Sequence, residues 1–260
     1  MKSSVLIFDS GVGGLSILSE IRQKTPAPDL FYLMDNAFFP YGIKPDDVLI
    51  SRILSVCLKA VDQLSPDVLV IACNTASTLV LDELRSRLSI PVVGVVPAIK
   101  VAAELTPDNR IGLLATPATV NRPYTDRLIS DFASHCEVTR FGSSHLVQWA
   151  EDYLISGDVP AELFGHLNPW LQQHPMSHIV LGCTHFPLLR DAMESLWPET
   201  CWVDSGEAIA RRVASLMSAQ NDTDSGKLSL FWTDAEKPPQ GALRYLQRLG
   251  EVLQSGPLSI

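Results

Sequence analysis

The 260-residue chain has no excess of basic residues: 20 lysines and arginines stand against 29 aspartates and glutamates, a formal charge of −9. That balance, with no basic cluster, argues against a nucleic-acid partner. The longest apolar runs are strand-sized, so no membrane span is expected. The N-terminal MKSSVLIFDSGVGG lacks the apolar region and small-residue cleavage site of a signal peptide. A soluble cytoplasmic protein is therefore the expectation. The five cysteines are odd in number and form no CxxC pair, so neither disulfides nor a zinc site is expected. Cys57, Cys136 and Cys201 read as small core residues. GxGxxG, the Walker lysine and low-complexity segments are all missing. No cofactor and no metal is implied.

What is present is a β-α alternation. Residues 5–8, 30–34, 68–72 and 92–96 read as strands, with helices over 15–22, 46–64 and 77–87. The pattern restarts near Val96-Pro97-Ala98. Strands at 111–115, 138–141, 179–181 and 202–203 then alternate with helices over 122–133, 145–154 and 161–173. Such alternation predicts parallel sheets with helices on both faces. The expected fold is α/β: two similar doubly wound parallel-sheet lobes with the active site in the cleft between them. The first lobe is assigned 1–96 plus 207–260, the second 97–206. The tail segments 207–218 and 241–253 read as helices packed back on the first half, and 220–240 as a polar loop holding at most a short strand at 228–232.

Ligands of open α/β sheets bind beyond the carboxyl ends of the strands. Four loops qualify: Asp9-Ser10-Gly11-Val12-Gly13-Gly14, the stretch from Asp35 to Gly42, Cys73-Asn74-Thr75, and Cys183-Thr184-His185. The glycines would let backbone approach an anion at a helix start, although a ligand-free tight turn fits equally well. The two cysteines lie 110 positions apart, each at a strand end and flanked by amide or hydroxyl donors. Donors beside a helix N-terminus favour thiolate. One chemistry needs two such thiols: a cofactor-free racemase, which takes a Cα proton from one face and returns one to the other. Free cysteine titrates near about 8.5, close enough to neutrality for either role. His145, His166, His174 and His178 read as ordinary histidines.

The sequence resembles the bacterial glutamate racemases over nearly its whole length, through FDSGVGGLSI, DNAFFPYG, IACNTAS, IPVVGVVPA, IGLLATPATV, LVQWAEDYL, LGCTHFPLL and VDSGEAIARR. The resemblance implies a cofactor-independent enzyme that interconverts L- and D-glutamate for peptidoglycan. It makes Cys73 the acid/base for D-glutamate and Cys183 the one for L-glutamate. Asp9 would assist Cys73; His185 and Glu151 would serve Cys183. Asp9, Ser10, Tyr41, Gly42, Asn74, Thr75, Thr184 and His185 match substrate-binding positions. Thr116 and Thr119 are added as carboxylate donors. Many members read GDxxRxPYG and CTHYP where this chain has MDNAFFPYG and CTHFP, variants similar to those of proteobacterial members. Some of those respond to a cell-wall nucleotide precursor as activator, and some are homodimers. A sibling racemase for aspartate or hydantoins, a thiol-using decarboxylase or isomerase, and a two-lobed binding protein are the rival readings.

Overall fold

A run buried on both faces is the mark of a central parallel strand, and residues 5–8 and 68–71 are such runs. Val5, Ile7, Val68 and Val70 enter one core layer, while Leu6, Phe8, Leu69 and Ile71 enter the other. In the computed structural model, which describes residues 3–25, 28–217, 226–250 and 252–258, these strands lie side by side. The first half comprises β1 (Ser4–Asp9), α1 (Leu15–Lys24), β2 (Asp29–Met34), α2 (Asp46–Leu64), β3 (Val68–Ile71), α3 (Asn74–Arg87) and β4 (Val92–Gly94). The second comprises α4 (Ile99–Leu105), β5 (Arg110–Ala115), α5 (Pro117–Val120), α6 (Pro123–Phe132), β6 (Glu137–Gly142), α7 (His145–Ser156), α8 (Leu163–Gln173), β7 (His178–Leu181), α9 (Arg190–Leu196) and β8 (Cys201–Val203). The tail adds α10 (Gly206–Leu216), β9 (Leu228–Trp232), α11 (Gln240–Leu249) and β10 (Val252–Pro257).

Two parallel sheets result, with orders β10-β9-β2-β1-β3-β4 and β6-β5-β7-β8. The run β2-β1-β3-β4 in one is matched strand for strand by β6-β5-β7-β8 in the other. Register agrees as well. Phe8 pairs with Ile71 in the first sheet and Leu114 with Leu181 in the second. Ala72 N–H then bonds Phe8 O, and Gly182 N–H bonds Leu114 O. Cys73 and Cys183, one residue further on, occupy equivalent places in two copies of one topology.

The tail differs from expectation. Residues 228–232 form a fully buried strand between β2 and β10, not a marginal one. LSLFW carries almost no polar alternation because both of its faces are covered. The helix expected over 241–253 stops at Leu249, and 252–257 return as edge strand β10. Gly250, whose N–H bonds Leu246 O, separates the two elements. Residues 218 and 220–225 of the expected helix and loop lie outside the described residues. α10 and α11 do pack on the first sheet, through Ile209, Ala210, Val213, Ala242 and Leu246. The short helices α4, α5 and α9 fall outside the helices expected from the sequence. Of the three cysteines read as core, Cys57 is buried, Cys136 partly so, and Cys201 is exposed at the start of edge strand β8.

Candidate active site

One cavity collects the carboxyl ends of corresponding strands from both sheets. Ser10 follows β1, residues 39–43 follow β2, and Cys73 and Thr75 follow β3; Thr116 follows β5, Ser144 follows β6, and Cys183 and His185 follow β7. No lysine or arginine is among the lining residues. Of the residues singled out from sequence, Ser10, Tyr41, Gly42, Cys73, Thr75, Thr116, Cys183 and His185 line the cavity directly. Asp9, Asn74, Thr119, Glu151 and Thr184 stand behind them. Sequence reasoning missed Ser144, Val147 and Gln148, at the start of α7. The strand-end rule, applied to β6, would have pointed to them.

On the Cys73 side, Asp9 is fully buried. Its carboxylate accepts Gly11 N–H at 2.8 Å and the Thr184 hydroxyl at 2.9 Å. The Ser10 hydroxyl stands between it and Cys73, 3.5 Å from Asp9 Oδ1 and 3.8 Å from Cys73 Sγ. Burial pushes the Asp9 carboxyl above its ordinary range, although the His185 charge and the two donors pull against it. Burial, reinforced by the charge of Asp9, pushes the Cys73 thiol up to about 12. This corrects the expectation of a helix-stabilised thiolate. Ala76 N–H in the first turn of α3 does favour the anion, but desolvation of the sulfur outweighs it. The resting Cys73 is a thiol with a proton to give.

The Cys183 side is built differently. Cys183 leads into a 3-10 turn, Phe186–Leu189, rather than an α-helix. His185 Nδ1 lies 3.8 Å from Cys183 Sγ, and its Nε2 lies 2.9 Å from Glu151 Oε1. Burial alone would neutralise the imidazole, but hydrogen bonds to Cys183 and Glu151 outweigh it and hold its pKa well above the ordinary value. An imidazolium beside Cys183 compensates negative charge on that sulfur.

The glycine loop finds its anion within the chain: Val12 N–H donates to Glu151 Oε1 at 2.9 Å. Its glycines have a second cause. A Cβ on Gly13 would come within 2.5 Å of His185 Nδ1 and 2.6 Å of Thr184 Oγ1, and one on Gly11 would strike Glu151 Oε1. The loop is bare because the other lobe presses on it.

Thr116 Oγ1 and Thr119 Oγ1 are 3.0 Å apart, and Thr116 also caps α5 by accepting Thr119 N–H. The Tyr41 hydroxyl is not free, since it donates to buried Asp35 at 2.6 Å. Asp35 is held in turn by Arg52 through two nitrogens and by Thr233. Tyr41 therefore offers the cavity its ring and backbone. Asn74 Oδ1 is buried without a hydrogen-bond partner among the described residues, an acceptor suited to a cationic donor such as an ammonium.

Comparison with known proteins agrees with this geometry. The family model for Asp/Glu/hydantoin racemases matches residues 10–213. A glutamate racemase of Salmonella enteritidis is 47% identical over 99% of this chain and 93% of its own length. One from Shewanella loihica is 46% identical over 90% of this chain and 88% of its own. The crystal structure of Escherichia coli glutamate racemase in complex with L-glutamate and the activator UDP-MurNAc-Ala superposes with a TM-score of 0.90 at 42% identity, covering 100% of this chain and 99% of that one. An aspartate racemase homologue from Pyrococcus horikoshii, 20% identical with a TM-score of 0.54 over 83% of this chain and 99% of its own, shares the fold. The chain belongs to the Asp/Glu/hydantoin racemase family and, within it, to the glutamate racemases.

Proposed function

We propose that the chain racemises glutamate by moving protons between Cα and two thiols. The supporting observation is that Cys73 and Cys183, at equivalent strand ends of different lobes, line one cavity. A carbanion held between them can lose its proton to one and regain one from the other. In the L-to-D direction, Cys183 as thiolate removes the proton and the Cys73 thiol supplies one to the opposite face; the reverse direction exchanges the roles. Proton counts balance and no oxidation state changes, so the scheme needs no redox cofactor. Ser10 and Asp9 serve Cys73; His185 and Glu151 serve Cys183. Backbone N–H and hydroxyl donors of Tyr41, Gly42, Thr75, Thr116, Thr119 and Thr184 hold the carboxylates, and the Asn74 Oδ1 acceptor takes the ammonium, with the cleft opening between a lobe of 1–96 plus 207–260 and one of 97–206. The product would be D-glutamate for cytoplasmic peptidoglycan precursors, with a UDP-MurNAc-Ala-type compound as activator.

The test is L-glutamate in deuterated water, followed by circular dichroism and by mass. Deuterium should enter Cα of the D-product from the first turnovers, with little in recovered L-glutamate. L-aspartate in parallel distinguishes a sibling activity. A Cys73→Ser or Cys183→Ser variant that racemises at the wild-type rate would overturn the two-thiol scheme.

A further inference from the structure

Arg122 caps α6 in the second lobe and is 9% exposed. Its guanidinium does not serve its own lobe. Nη1 donates to Thr75 O at 3.2 Å and to Thr78 Oγ1 at 2.7 Å, and Nη2 to Asp46 Oδ1 at 2.6 Å. All three acceptors belong to the first lobe, in α3 and at the start of α2. Its backbone, meanwhile, closes the threonine turn of the second lobe. Arg122 N–H bonds Thr119 O, and Arg122 O accepts the N–H groups of Thr125 and Asp126. One residue thus ties the segment carrying Thr116 and Thr119 to the segment carrying Thr75. The lobes are in contact at that edge: a Cβ on Gly42 would lie 3.3 Å from Thr116 Cβ. On the other side of the cavity, Glu151 makes the matching link to Val12 N–H.

Burying a guanidinium is costly unless its donors are satisfied. Here the satisfaction comes from across the cleft, so burial and pairing of the guanidinium hold together only while the lobes keep this spacing. We propose that Arg122 is a positioning residue that sets the lobe spacing along the Thr75–Thr116 edge, and so governs how tightly substrate is held rather than how fast protons move. This rests on the reading of the cavity as a glutamate site.

An alternative is that Arg122 supplies positive charge to substrate carboxylates from behind Thr75. The partner separates the two. If charge is the role, Asp46→Asn unmasks the guanidinium and lowers KM. If spacing is the role, Asp46→Asn loosens a strut and raises KM.

The experiment measures kcat and KM for L- and D-glutamate in wild type, Arg122→Met, Arg122→Lys, Asp46→Asn and Thr78→Val. Loss of charge-assisted hydrogen bonds should raise KM about tenfold in Arg122→Met, with kcat within about threefold. The two enantiomers have equal free energy, so kcat/KM must fall by one factor in both directions. Arg122→Lys should fall between, and Asp46→Asn and Thr78→Val should raise KM about threefold. A general loss of folded protein would instead lower kcat at constant KM. Unchanged KM in Arg122→Met, or a lower KM in Asp46→Asn, overturns the proposal. Should Arg122→Met fail to fold, Asp46→Asn decides, since its side chain is 57% exposed. Hydrogen exchange of the free protein tests the strut without turnover. Arg122→Met should speed exchange around Thr75 and Thr119 together; unchanged exchange at both also overturns it. If wild type fails to racemise glutamate while that exchange pattern appears, the glutamate assignment is at fault and the strut stands.

Discussion

Glu151 Oε1 lies 2.9 Å from both His185 Nε2 and Val12 N. One carboxylate oxygen thus joins the imidazole beside Cys183 to the glycine loop of the opposite lobe. Glu151 is carried by α7, whose Leu146, Val147 and Ala150 face the core. An acidic residue on an amphipathic helix ordinarily faces water; this one is turned inward by two donors.

Glu151→Gln should therefore act on the chemistry. The amide keeps the size but loses the carboxylate that, after Cys183, raises the His185 pKa. Turnover of L-glutamate should fall on the order of a hundredfold, with KM little changed. Initial-rate kinetics check this. Wild-type kcat in the variant would return Glu151 to the role of a helix-surface glutamate.

His185 also leaves a mark on stability. Its folded pKa is raised above the unfolded value near about 6.5. The stabilisation is therefore fully present below that pH and is lost as pH rises through the folded value. The melting-temperature advantage of wild type over His185→Gln should be largest in mild acid and shrink in the alkaline range. An advantage that grows with pH would contradict a protonated resting His185.

The strand ends and the two cysteines were legible because period, burial and punctuation coincide there. IACNT and LGCTH each end a wholly apolar run with polar residues, which few roles other than a site explain. Less legible was whatever depends on the two lobes meeting. Nothing local in RPYT marks Arg122 as reaching into the other lobe, and the DSGVGG glycines suggested an external anion where the fold supplies Glu151. β10 was lost for a similar reason: VLQSGP is half exposed at a sheet edge, so its strand character comes from pairing with β9 rather than from its own pattern.

Gly13→Ala tests the interlobe contact. The added methyl would meet His185 Nδ1, Thr184 Oγ1 and, at 2.8 Å, the backbone N of His185. Backbone yields poorly, so the lobes must shift. Overpacking of this kind costs about 1–3 kcal/mol. A displacement of the Cys183 loop by an ångström should cost activity on the order of a hundredfold. Thermal melting and initial rates measure the two effects, and an unimpaired variant would show the loop to be slack.

The last prediction separates the two thiols by titration. Cys73 sits with its thiol pushed up to about 12, first by burial and then by the charge of Asp9. Alkylation proceeds through the thiolate. In the substrate-free enzyme, the rate at Cys73 should therefore climb about tenfold per pH unit through pH 8 to 10, without the plateau that an ordinary thiol of pKa about 8.5 would show. Peptide mass spectrometry after iodoacetamide treatment follows each cysteine separately. Exposed Cys201 provides the accessible control, and buried Cys57, whose thiol is likewise raised by burial, the protected one. Asp9→Asn removes the second cause and leaves the first. Cys73 should then react faster at every pH, yet still more slowly than a free thiol. A plateau near pH 8.5 in wild type would mean that Cys73 rests as readily in the thiolate form, and the asymmetry between a proton-loaded Cys73 and an imidazolium-backed Cys183 would be lost.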